Sequence, residues 1–158
     1  MLFDHHKKIR CIAQSEVYTC WEACGRMLFL WKNGEKELPR YEKAIAPYKA
    51  LGRGLYPAEL GVLYCTLLGM KAKPKARFAI EKSPVIWRRT HPIGHAMILI
   101  ALDTNSSRYV NWDPYVSARK VSFDESGGSS ASGIIGLAEI ISEKTLDRDV
   151  VGSVWCYE

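Results

Sequence analysis

The sequence predicts an α+β domain, a helical first half packed on a C-terminal antiparallel sheet, and three observations carry that expectation. Between residues 19 and 70 apolar side chains recur at three- and four-residue intervals, the period of a helix with one buried face. Beyond the basic stretch "KAKPKAR" the pattern changes to short runs rich in β-branched and aromatic residues. No internal repeat interrupts this order, and helices followed by strands describe segregated layers rather than alternating βα units.

Taken in order, residues 1–10 ("MLFDHHKKIR") read as a flexible tail. Thr19 and Glu22 form the T-x-x-E pattern of a capping box, in which the hydroxyl takes the N3 amide and the carboxylate reaches back. Cys20 is then the first helical residue, and Trp21, Cys24, Met27, Leu28 and Trp31 line the buried face of a helix of about three turns. "KNG" closes it with a basic last turn and a glycine stop. "RYEKAIAPYKALGRGL" is read as a short helix ending at its glycines. Another helix, residues 57–70, starts on Pro57 and ends near Gly69, with Leu60, Leu63, Tyr64, Leu67 and Leu68 on one side. The strands follow: "SPVIWRR", "HAMILIALD", "RYVNWDPY", "RKVSF" and "VVGSVWCY". "TNSS" is a turn, "DESGGSSASG" a flexible surface loop, and "IIGLAEIISEK" fits helix or strand equally.

A chain of 158 residues with 47% apolar content is one domain, spanning 1–158, with enough core to enclose a cleft. Its longest apolar run falls well short of the roughly 18 to 20 residues that cross a bilayer. No signal-like segment opens the chain, so export would have to be directed from outside the domain. The net charge of +5 is scattered without an aromatic and basic stripe, which favours a solvated face over direct nucleic-acid binding. Five cysteines is an odd count with no CxxC pair, which points to reduced thiols and a cytosolic workplace.

A thiol in the first turn of a helix meets the positive end of the helix dipole and unpaired amides, which favour thiolate. Cys20 is the cysteine so placed, whereas Cys24, one turn on, reads as core. A nucleophilic thiol needs a base, and the base needs an orienting group. His5 and His6 lie in the tail and His91 precedes a proline, which leaves His95 at the entry of "HAMILIALD". A hairpin turning near residue 105 brings the start of that strand beside the end of "RYVNWD", and so Asp113 beside His95. A register shift would put Asn111 there instead. Gln14 is an amide donor that, with the Cys20 backbone N–H, suits an oxyanion.

With these residues in view, "QSEVYTCWEA" resembles the papain-like cysteine protease signature. There a glutamine precedes the nucleophilic cysteine by six residues, the cysteine begins the central helix and a tryptophan follows it. "GHAMILIALD" and "VNWDP" resemble the histidine and Asp-Pro strands of compact bacterial members of that clan, the double-glycine leader peptidases and effector proteases. The resemblance covers Gln14 to Tyr115 in order. It implies a papain-like fold, Cys20 as nucleophile, His95 as general base and acid, Asp113 as orienting residue, Gln14 in the oxyanion hole, and no metal or organic cofactor. The plant-type "CGSCW" context, disulfide framework and Asn-Ser-Trp motif are missing, so the small bacterial branch fits better.

The activity expected from this resemblance is that of a cysteine endopeptidase, a bacterial toxin or effector domain. It would be delivered by a secretion system or a larger toxin polypeptide to cut a protein in the target-cell cytoplasm, with an immunity protein as inhibitor. The same constellation also serves glutamine deamidation or peptidoglycan amide hydrolysis. From other classes come a non-catalytic binding domain on the same shell, and a structural zinc site using Cys20, Cys24, His91 and His95.

Overall fold

In a computed structural model, residues 2–4, 9–16, 18–74, 83–89, 95–103, 108–114, 137–150 and 152–157 are described. The elements in chain order are β1 (Leu2–Asp4), α1 (Cys20–Asn33), a single 3-10 turn (Glu35–Glu37) leading into α2 (Leu38–Lys49), and α3 (Pro57–Leu67). There follow β2 (Lys71–Lys73), β3 (Val85–Arg89), β4 (His95–Asp103), β5 (Arg108–Asp113), β6 (Leu137–Ser142), α4 (Glu143–Asp149) and β7 (Val154–Cys156). The protein is α+β, with its strands in one antiparallel sheet in the spatial order β2-β7-β3-β4-β5-β6. β1 lies along the far end of β4, Leu2 opposite Asp103.

Alternation along the strands sorts the core into two layers. Ile86, Ala96, Ile98, Trp112 and Trp155 face one side, where they meet Trp21, Cys24, Met27 and Leu28 of α1, Tyr41 and Ile45 of α2, and Leu60, Leu63 and Tyr64 of α3. Val85, Trp87, Met97, Leu99, Tyr109, Val154 and Cys156 face the other, covered by Leu146 of α4. Burial on both faces explains why "HAMILIALD" reads as a nearly continuous apolar run rather than an alternating one.

Tyrosines from the neighbouring helices pin the start of α1. The buried Tyr41 hydroxyl donates to the Glu22 carbonyl at 2.6 Å, and that of Tyr64 to the Trp21 carbonyl at 2.9 Å. Burial, first of all, raises both phenol pKa values well above the ordinary range. The hydroxyls are thus protonated donors at neutral pH. Gly25 makes the first approach possible, since a Cβ there would stand 2.8 Å from the Tyr41 oxygen.

The helices at 20–33 and 57–67 and the hairpin at 95–113 follow the sequence expectation, and Gly34 stops α1 at φ 79°. Several details differ. Residues 2–4, read as part of a flexible tail, form β1, and Ile9 is buried with its carbonyl accepting the Trp112 indole N–H at 2.9 Å. Lys71–Lys73, at the start of the basic stretch, pair with β7 as β2. The ambiguous "IIGLAEIISEK" holds both β6 and the start of α4, with Ser142 capping the helix through Thr145 N at 3.2 Å. The expected "RKVSF" strand, "TNSS" turn and "DESGGSSASG" loop lie outside the described residues.

The capping box at Thr19 is not formed. The Thr19 hydroxyl instead accepts from Glu16 N at 2.9 Å and donates to Glu16 O at 3.1 Å, closing the turn before the helix. Glu22 turns along α1 to Arg26, whose Nε donates to it at 2.8 Å. Arg26 also bridges to Glu42 of α2, so the carboxylate that was expected to cap α1 helps tie it to α2.

Candidate active site

Cys20 is the first residue of α1, and the first two amides that find a carbonyl there are those of Glu22 and Ala23, at 3.2 and 3.1 Å from Thr19 O. With the Thr19 hydroxyl committed to Glu16, no hydrogen bond among the described residues takes up the Cys20 amide. The thiol beside it is nearly buried, at 9% exposure, and its sulfur accepts the Ala96 backbone N–H at 3.5 Å. That bond joins residues 76 apart in sequence and sets the nucleophile candidate one residue from His95.

His95 is half-buried and is the first residue of β4, paired with Arg89, the last residue of β3. Extending the register Leu99↔Asn111 and Ile98↔Trp112 by one residue would set position 113 across from Met97. His95 and position 113 thus lie on one face as diagonal neighbours, a relation that spans roughly 7–8 Å between backbones. The Asp113 side chain itself lies outside what the structure describes. Ala96 faces α1, so Cys20 approaches β4 from the other side, with its sulfur level with the strand backbone. A His95 ring reaching that sulfur must pass around the open end of the strand.

Gln14 is tied to the same end of the hairpin. Its backbone N–H donates to Pro114 O at 2.8 Å, directly after Asp113, and its side-chain Nε2 donates to Glu16 O at 2.7 Å. Cys20, His95, position 113 and Gln14 are therefore gathered at one end of β4 and β5.

Asn111, the alternative partner for the histidine, is fully buried. Its Oδ1 accepts the Trp87 indole N–H at 2.8 Å and its Nδ2 lies 3.2 Å from Met97 Sδ, which gives it a packing role in the second core layer. Trp21 packs edge-on against Tyr48, ring centroids 6.4 Å apart, and belongs to the core. All five cysteines carry thiols. Among the described residues no group of three or more His, Cys, Asp or Glu is arranged to hold a metal, and His91 of the zinc alternative lies outside them, as do His5 and His6. Among the described residues no helix is long and apolar enough to cross a membrane.

One residue beside the thiol escaped the sequence reading. Arg88 pairs with Ala96 across β3 and β4 and so lies on the Cys20 side of the sheet. The alternation of "VIWRR" carries that signal, since Arg88 is two residues from Ile86, but only once the face that meets α1 is known.

No protein-family model matches the chain, and a search of curated proteins finds no significant relative.

Proposed function

We propose that this chain is a cysteine endopeptidase with a papain-like fold. The observation that carries the reading is the Ala96 amide bonded to the Cys20 sulfur, which brings the first residue of the nucleophile helix to the residue next to His95. The Gln14 to Pro114 bond adds the oxyanion donor to the end of the strand that bears Asp113.

In this mechanism the Cys20 sulfur attacks the scissile carbonyl and its proton passes to the His95 imidazole. Asp113 accepts from the other ring nitrogen and fixes the tautomer. The tetrahedral oxyanion takes the Cys20 backbone N–H and the Gln14 amide as donors. His95 then gives its proton to the leaving amine, and the C–N bond breaks to leave a thioester on Cys20. Water, deprotonated by the same imidazole, hydrolyses the thioester, releasing the carboxylate product and restoring the thiol. As a toxin or effector domain, delivered by a secretion system or within a larger polypeptide, it would act on a protein of the target cell, and its producer would hold an inhibitor that covers the cleft.

Terminal-labelling proteomics of a lysate treated with wild type and with Cys20→Ala tests this. Discrete new N-termini made by wild type alone are expected. Their absence refutes proteolysis; a deamidation mass shift on glutamines would redirect the reading to a deamidase, and fragments released from sacculi to a peptidoglycan amidase.

A further inference from the structure

Arg88 is held in a way that asks for an anion. Its guanidinium carbon lies 5.6 Å from the Trp155 ring centre, and Trp155 packs edge-on against Tyr64 at 5.3 Å. On the side of Gly152 one of its terminal nitrogens lies 3.2 Å from where a Cβ would stand, so that glycine, at φ 65°, leaves room for the fork. The side chain is half-buried, its Nε is buried without a hydrogen-bond partner, and no carboxylate among the described residues pairs with it. By contrast Arg26, Arg40, Arg53 and Arg148 each meet a carboxylate: Glu22, Glu37, Glu59 and Asp149. Arg89 also carries a buried, unpartnered Nε, but alternation places it on the opposite face with His95.

A guanidinium half withdrawn from water without a counter-ion carries a desolvation cost, and an incoming anion offsets part of it. Burial pulls the Arg88 pKa down, against the neighbouring Tyr64 and Cys20, which pull it up. A planar fork matches a carboxylate through two parallel hydrogen bonds. The neighbour that accepts the Ala96 amide is the candidate nucleophile itself, and the scissile carbonyl would rest on that sulfur.

We propose that Arg88 is the carboxylate anchor of the Cys20 site, selecting substrates with an acidic group close to the scissile carbonyl. The word substrate rests on the proteolytic reading, but the first test does not. Alkylation of Cys20 by iodoacetate and by iodoacetamide, which differ in charge, is followed on the peptide bearing Cys20 by mass spectrometry, with the exposed Cys65 as internal reference.

Wild type is expected to favour iodoacetate at Cys20 relative to Cys65 by roughly tenfold, the worth of one charge-assisted contact. Arg88→Gln should lose this preference, and Arg88→Lys should keep part of it. If Arg88→Gln does not fold, the salt dependence of the wild-type ratio decides: the preference should fall from low to high salt as the charge is screened. An unchanged ratio in folded Arg88→Gln, a salt-insensitive ratio, or a Cys20 that neither reagent modifies while Cys65 reacts, overturns the anchor.

Lysate cleavage then separates the two readings. An Arg88-dependent reagent preference without Cys20-dependent termini leaves the anchor standing and the protease refuted. Termini with no acidic bias, together with an unchanged ratio in Arg88→Gln, leave the protease standing and the anchor refuted.

Discussion

Gly25→Ala is expected to change sign with the residue at position 41. In an ordinary helix interior the substitution stabilises by about 0.8–1.0 kcal/mol. Here the new methyl would lie 2.8 Å from the Tyr41 oxygen, closer than real Cβ atoms come to a neighbour. Tyr41 is fully buried, so yielding means losing the 2.6 Å bond to Glu22 O. Breaking a buried bond costs about 1–3 kcal/mol, with overpacking of similar size. Gly25→Ala alone should therefore destabilise by up to about 2 kcal/mol once the propensity gain is subtracted. Tyr41→Phe removes the clashing atom, and the next nearest, Cε2 and Cζ, stand at 3.6 Å, ordinary contact. In that background the alanine should stabilise by up to about 1 kcal/mol, a coupling of about 1–3 kcal/mol. Urea unfolding of the four proteins at neutral pH, followed by tryptophan fluorescence, measures it. An alanine effect of the same sign in both backgrounds would refute the packing argument.

Asn111→Leu should cost about 2–3 kcal/mol by leaving the buried Trp87 N–H without its acceptor, and Trp87→Phe should recover part of that in the double variant. Denaturant midpoints of the two singles and the double check it. Thr19→Val should cost about 1–2 kcal/mol and lower Cys20-dependent cleavage, whereas Thr19→Ser keeps both bonds to Glu16 and should restore it. The Glu59 carboxyl is held below its ordinary value by hydrogen bonds first from Arg53 and then from the Tyr56 amide. A depressed pKa stabilises the fold above the unfolded value and loses that contribution as pH falls through the folded one. Wild type and Glu59→Gln should thus differ most at neutral pH and converge in acid, which urea midpoints across that range would reveal.

The elements with strong periodicity were legible in the sequence: α1, α3, and the pairing of β4 with β5. The short strands β1 and β2 were not: Lys71–Lys73, for one, carries no pattern of its own and is defined by β7, far along the chain. The Thr19 to Glu22 spacing looked like a cap, yet the hydroxyl had a nearer partner in Glu16 and the carboxylate a stronger one in Arg26. Other local partners, three and four residues away, outcompeted a capping motif of about 1 kcal/mol. Asn111 and Arg88 show the other limit. Each depends on which residue lies opposite in a neighbouring strand, information that no window of sequence contains.

The bond between Ala96 and Cys20 spans 76 residues, and that separation has a consequence in time. At roughly 5–20 residues per second of synthesis, about 4–15 s elapse between the making of the cysteine and of the strand that meets it. During that interval Cys20 is a plain thiol on a nascent chain. The proposed site is complete only when the sheet closes on the helix, so under that reading reactivity would arrive with the finished fold.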